Sequence, residues 1–260
     1  MRRKSTFDDA GHGLPAPVPD PQKAEVVKGL ISVIIPTYNE SSTILQFAEV
    51  IESLRKSGAE IIFVDGGSSD GTLSMIPDDR GYQILSSPRK GRAQQMNYAA
   101  DCSRGEILFF LHCDTERIPE DAEAEIRRVM SRFDAGCFGI DFLKKDSFFM
   151  WTCKWISNHR VKDRKVMFGD QGIFLKRELF YKAGKYPEIP IMEDYQFSLT
   201  LKLMQVRLGM TQKRIFTSSR RFQGGTVRKL RLMWQMNRLR AAYRRGVPAD
   251  EIAKAYRDIR

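Results

Sequence analysis

No stretch of this 260-residue chain approaches the ~20 consecutive apolar residues that cross a bilayer. Its longest apolar candidates, Ile107–Cys113 and Phe148–Ile156, fit a buried strand and part of a helix. The N-terminal stretch MRRKSTFDDAGHGLPAPVPDP has basic residues but no apolar core, so it does not read as a secretory signal. Cysteine is scarce. The four present (Cys102, Cys113, Cys137, Cys153) show no CxxC spacing and no zinc pattern, so free buried thiols in a reducing cytosol are expected. There is no internal repeat, and no GxGxxG follows the first strand-like run, which argues against a dinucleotide dehydrogenase. Acidic residues are missing altogether from Arg220 to Arg245, where nine Arg or Lys stand.

What remains is ordinary globular material, 42% apolar and 29% charged, which rules out collagen, coiled coil and wholesale disorder. The net charge is +11, and its concentration in the late basic segment suits phosphates on nucleotides, lipids or nucleic acid. Residues 1–28 read as a flexible lead-in rich in Pro, Gly and charge. Short apolar runs then alternate with helical stretches. Ile31–Ile35, Glu60–Val64, Tyr82–Ser86 and Glu106–Leu111 read as strands of a parallel, doubly wound sheet. Helices are expected from Ser41 or Ser42 to about Lys56 and over Gly91–Ser103. A mixed second half follows, with strands near Gly136–Phe142, Gly172–Lys176 and Lys213–Ser218. A long basic helix over Thr226–Arg245 and a short one after Pro248 close the chain.

Ligands of an open parallel sheet bind at the carboxyl ends of its strands. Here those ends carry Pro36-Thr37-Tyr38-Asn39-Glu40, then Asp65, then His112-Cys113-Asp114. Carboxylates gathered in one cleft repel each other unless a divalent metal or a donor-rich ligand joins them. Each acid alone is equally a turn or cap residue; the three together point to a site.

In this order PTYNE, VDGGSSDGT, KGRAQQMN, FLHCDT, GDQGIFLKRELF and PIMED resemble the inverting family 2 glycosyltransferases of GT-A fold, over roughly residues 30–258. The resemblance implies an α/β GT-A-like domain at 29–225, a doubly wound, mostly parallel mixed sheet flanked by helices, followed by basic helices at 226–260. It implies a sugar moved from a nucleoside-diphosphate sugar, with uracil the usual base, to an acceptor hydroxyl. Pro36, Tyr38, Glu40 and Asp65 match the places that hold the base. Gly91 and Arg92, at a helix N-terminus that favours anions, match the nucleotide-phosphate side. Many relatives carry Arg before the Asn matched by Asn97, whereas Met96 stands here; Arg92 either takes over that contact or is an exposed arginine on a solvated helix face. Asp114 matches the ligand for Mn²⁺ or Mg²⁺ in a motif whose first Asp has become His112, which either orients that shell or packs. Asp194 matches the general base, and Glu193 the other half of the catalytic pair, anchoring its loop. Asp170 and Gln171 lie where acceptor hydroxyls or a simple turn would use them. Arg221 matches a basic position near the leaving diphosphate, and Asp70 reads as a turn residue.

The acceptor stays open between lipid phosphate, small metabolite and glycan. The helix at Thr226–Arg245 sets Leu230, Met233, Trp234, Met236 and Leu239 broadly to one side. That face packs on the domain or lies on an anionic membrane surface, so the expected location is cytoplasmic, with peripheral attachment to the inner membrane face open. The rival readings are a nucleotidyltransferase of related topology and a non-enzymatic basic binding protein. No nucleic-acid reader motif is present, and no nucleic-acid partner is expected.

Overall fold

Ile31, Val33, Ile34 and Ile35 are at most 1% exposed because their strand, β1 (Val27–Thr37), is hydrogen-bonded on both edges and covered on both faces. That is why the run, Ser32 apart, is apolar on both faces instead of alternating. The computed structural model describes residues 25–143, 148–218 and 226–257. After β1 come α1 (Ile44–Val50), α2 (Glu52–Lys56), β2 (Glu60–Asp65), α3 (Thr72–Met75), β3 (Gln83–Ser86), α4 (Arg92–Cys102) and β4 (Gly105–Phe110). The second half runs β5 (Thr115–Arg117), α5 (Ala122–Met130), β6 (Ala135–Asp141), α6 (Phe148–Arg164), β7 (Ile173–Lys176), α7 (Arg177–Lys182), α8 (Glu193–Leu203) and β8 (Leu208–Thr217). Two helices, α9 (Thr226–Arg244) and α10 (Ala249–Arg257), close it.

The eight strands make one mixed sheet in the order β3-β2-β1-β4-β7-β6-β8-β5. The first four are mutually parallel, β7 is antiparallel to both its neighbours, and β6 returns to a parallel pairing with β8. Register decides the site. Thr37 lies opposite Asp65 and Ile34 opposite Phe110, so the segments after β1, β2 and β4 leave the sheet at one edge.

Side chains alternate between two cores. Ile31, Val33, Ile35, Phe63 and Phe109 face one layer, and Ile34, Ile62, Val64, Leu108 and Phe110 face the other. Phe109 and Phe110 are both at most 1% exposed, so truncating either to Ala would cost about 3–5 kcal/mol. A third cluster joins Val166, Met192, Tyr195, Leu239 and Ile252, fastening α8 to the two terminal helices.

Several elements differ from expectation. The first helix is broken at Ile51, and its start lacks a serine cap: the Thr43 hydroxyl bonds Glu40 instead. The strand expected at Lys213–Ser218 begins at Leu208, and β5 and α7 had no sequence signal of their own. The apolar side of α9 is divided. Leu239 is buried and Met233 meets Cys153 of α6, but Leu230 and Trp234 stay exposed. All four cysteines are buried and free.

Candidate active site

The loops after β1 and β2 are sewn together by their own polar side chains. Asn39 N–H donates to Ser68 Oγ and Ser69 N–H to Asn39 Oδ1, each at 2.9 Å. Glu40 N–H donates to Thr72 Oγ1 at 2.8 Å, and Ser41 N–H to Asp70 Oδ2 at 3.0 Å. Asp70 is thus a turn residue, and hydrogen bonds from the Thr72 hydroxyl above all, then from Ser41 and the Thr72 N–H, hold its carboxyl well below the ordinary range. Asp65 is 4% exposed and accepts from the N–H groups of Gly67 and Ser68 and from the Ser68 hydroxyl. Its carboxylate shapes the loop, so any base donor must share oxygens already in use. Tyr38 is 52% exposed, an open ring beside the half-buried Pro36 and Glu40.

Helix α4 is clamped beneath these loops. Gln95, 4% exposed, donates through Nε2 to the carbonyls of Thr37 (2.8 Å) and Val64 (2.7 Å), locking the ends of β1 and β2. Gly91 opens the helix at φ 126°, in the region glycine tolerates. Two turns on, Asn97 makes paired bonds with Tyr186, accepting from its N–H and donating to its carbonyl. This pins the segment that leads into α8.

At the start of α8, Met192 sits at φ 69°, a left-handed conformation unusual for a branchless apolar residue. It turns Glu193 inward, to 2% exposure, onto the Arg92 guanidinium of α4. Burial pushes the Glu193 carboxyl above its ordinary value, Arg92 pulls it back, and Asp194 pushes it up again. Burial works against the Arg92 charge too, but Glu193, Asp194 and Asp114 together hold its pKa above the usual value. One guanidinium, 41% exposed, therefore answers to carboxylates from the ends of β4 and α8.

Asp194 is half-buried, and its carboxylate accepts from the Gly169 N–H at 2.8 Å and the Tyr195 N–H at 2.6 Å. Gly169 in turn lies under His112: a Cβ there would come 2.3 Å from the imidazole Cε1. His112, expected either to orient the metal shell or to pack, thus lies against the turn that holds Asp194. Asp114 Oδ1 is buried with no hydrogen-bond partner, an oxygen waiting for a cation or a donor. Among the described residues no three His, Cys, Asp or Glu side chains converge on a metal position.

Residues 32–184 match the family model for glycosyl transferase family 2. The chain belongs to that family. As a family 2 glycosyltransferase it is 24% identical over 178 residues to a "PGL/p-HBAD biosynthesis glycosyltransferase" of Mycobacterium bovis, covering 65% of this chain and 68% of that one. It is 24% identical over 158 residues to an "undecaprenyl-phosphate 4-deoxy-4-formamido-L-arabinose transferase" of Aeromonas hydrophila, spanning 56% of this chain and about half (48%) of that protein. In fold it resembles the mannosyltransferase PcManGT of Pyrobaculum calidifontis, solved with GDP-Man and Mn²⁺ (TM-score 0.60, 19% identity, 88% of this chain and 69% of that one). It also resembles glucosyl-3-phosphoglycerate synthase of Mycobacterium tuberculosis, solved with Mn²⁺, UDP and phosphoglyceric acid (TM-score 0.56, 15% identity, 84% and 79%).

Not every expected residue of this glycosyltransferase faces the cleft. Gln171, expected among acceptor contacts or as a turn residue, is fully buried, and its Oε1 accepts the Phe168 N–H at 3.1 Å to close the turn. Arg221 lies outside the described residues. Gln95 was missed, since a glutamine in a helix carries no signal until its burial is known. Arg160, Phe168 and Arg240, which gather beside Asp194, were missed as well. A pocket of about 290 Å³ lined by Leu30, Arg55, Glu60 and Arg104 lies at the amino ends of the strands, and its charged groups pair among themselves or with Glu52.

Proposed function

We propose that this enzyme transfers a sugar, with inversion, from a nucleoside-diphosphate sugar to an acceptor hydroxyl, with Asp194 as the general base. The observation that carries the reading is Arg92, which ties Glu193, Asp194 and Asp114 into one electrostatic group although they come from distant elements. Asp194 is fixed by two backbone donors and keeps lone pairs for an incoming hydroxyl. A carboxylate takes that proton as the oxygen bonds the anomeric carbon, from the face opposite the leaving diphosphate. Glu193, buried and paired with Arg92, is a positioning residue. Tyr38 packs on the base, with Pro36, Glu40 and Asp65 framing it, and Gly91 and Arg92 face the phosphates.

The orphaned Asp114 oxygen fits a divalent ion, Mn²⁺ or Mg²⁺, which Asp114 would help hold and which would supply charge neutralisation for the departing diphosphate. Solved neighbours that hold GDP-Man or UDP with Mn²⁺ support this reading. UDP-sugar is the favoured donor because a base-side carboxylate suits the uracil imide N–H. Asp170 stands on the acceptor side.

The test is a set of thermal melts with UDP, GDP, ADP and CDP, each with and without Mn²⁺. A nucleotide at ~100 times its Kd adds about 2.7 kcal/mol. A metal-dependent rise lost in Asp114→Ala supports the reading, as does an Asp194→Asn enzyme that binds the same nucleotide but transfers at least ~100-fold more slowly. No rise with any nucleotide overturns it.

We also infer that the α6–α9 face rests on an anionic lipid surface. The chain has three tryptophans, and all lie on these helices: Trp151, Trp155 and Trp234, each more than half exposed. Cys153 and Met233, 3.1 Å apart, join the two helices, and Ile156, Leu230 and Val227 extend the exposed apolar surface. Exposed Arg228, Arg231 and Arg238, with the half-buried Lys229, supply the charge. Among the described residues no helix is long and apolar enough to cross a membrane.

A further inference from the structure

Arg160 and Arg240 reach one aromatic ring from two different helices. The guanidinium carbon of Arg160, from α6, lies 4.0 Å from the Phe168 ring centroid, and that of Arg240, from α9, lies 5.4 Å from it. Tyr195 stacks on the same ring at 5.8 Å with an interplanar angle of 16°, and Arg244 donates to the Tyr195 hydroxyl at 3.4 Å. Among the described residues neither Arg160 nor Arg240 forms an ion pair. Arg160 Nε is buried without a hydrogen-bond partner, and Arg240 Nε donates only to the Met236 carbonyl of its own helix.

Two guanidiniums held this close, both drawn partly out of water, destabilise one another. Burial lowers the pKa of each, that of Arg160 to about 10, and Asp170 and Asp194 offset this only in part. An anion between the forks would remove the cost, and a planar guanidinium matches phosphate oxygens in bidentate fashion.

The position says which anion. Asp194 is common to both charged groups. Arg92 answers to Glu193, Asp194 and Asp114 on one side, while Arg160 and Arg240 answer to Asp170 and Asp194 on the other. Phe168 immediately precedes Gly169, whose N–H holds Asp194. The donor diphosphate belongs with Asp114, so the second cradle is left for the molecule that Asp194 deprotonates. We propose that Arg160 and Arg240, held against Phe168, seat a phosphate group of the acceptor, which is therefore a phosphate ester that also carries the hydroxyl Asp194 deprotonates. This rests on the reading of Asp194 as the base.

The experiment is calorimetric titration of inorganic phosphate and glycerol 3-phosphate into the full chain, alone and saturated with a nucleoside diphosphate and Mn²⁺. Saturation blocks the donor site, so phosphate binding that persists belongs elsewhere. Arg160→Gln and Arg240→Gln should each weaken it about tenfold, equivalent to about 1.4 kcal/mol, with nucleotide affinity unchanged. Arg160→Lys should recover part of the loss, and exposed Lys202→Gln, a charge control on α8, should bind as the wild type does. If Arg160→Gln fails to fold by its melt, Arg240→Gln and Arg160→Lys carry the test.

Vesicles of phosphatidylcholine with phosphatidic acid, against the same with phosphatidylglycerol, separate the sources. Arginine-dependent preference for phosphatidic acid names a lipid phosphate, and binding of glycerol 3-phosphate names a soluble one. Equal phosphate affinity in wild type and both glutamine variants overturns the proposal, as does no phosphate binding in any arm. Failure of the nucleotide to bind instead sinks the donor reading, and the titration without nucleotide still reads the cradle.

Discussion

Replacing Arg92 by Met should destabilise the enzyme in a pH-dependent way. Glu193 is 2% exposed, and Arg92 is the cation that compensates it. Breaking a buried ion pair by removing one partner costs about 3–5 kcal/mol. Arg92 is itself 41% exposed, so solvent screening reduces that to about 2–3 kcal/mol. At this chain length the melting midpoint should fall roughly 4–12 °C near neutral pH. The sign follows from Glu193. Its folded pKa already lies above the ordinary 4.5, so the folded state holds the proton more tightly than the unfolded chain. Stability from this group is full below that value and declines as pH rises through the folded pKa. Without Arg92 the folded pKa climbs further and the decline becomes deeper. The wild-type and Arg92→Met midpoints should therefore nearly coincide at about pH 4 and diverge toward about pH 8. Calorimetric melts across that range measure the gap. Adding Glu193→Gln should close most of it by removing the stranded charge. A gap equal at both pH extremes, or one that the double variant leaves open, would refute the reasoning.

Gly169→Ala should lose about 1–3 kcal/mol by overpacking, because its Cβ would meet His112 at 2.3 Å. Trimming the ring with His112→Ala should restore the melting midpoint, and equal midpoints for both Gly169 variants would exclude the clash as the cause. For the lipid-facing surface, replacing Trp151, Trp155 and Trp234 with Ala should abolish co-sedimentation with phosphatidylglycerol vesicles and leave the melting midpoint within a few degrees. Unchanged sedimentation would remove that face from consideration.

Strand existence and motif order are properties of the chain itself. Ile31–Ile35, Ser32 apart, and Ile107–Leu111 are apolar at successive positions since they are covered on both faces, and that demand shows in one dimension. The turn role of Asp70 was equally legible, because an aspartate bonds backbone donors only two residues away. The family followed from segments whose spacing a linear reading can measure.

Long-range pairing was not legible in that way. Nothing in the residues 173–176 announces that β7 runs antiparallel between β4 and β6, since strand direction is chosen by crossovers and packing. Nor does Gln95 differ in sequence from any helical glutamine until two strand carbonyls close over it. Arg92 and Glu193 are about a hundred residues apart, and only the folded chain makes them one group. The same holds for Arg160 and Arg240, which as sequence are two members of a basic surplus. Local chemistry is written in neighbouring residues. Where charge gathers is set by which helices pack over the sheet edge, and burial then makes each approach costly enough to carry function.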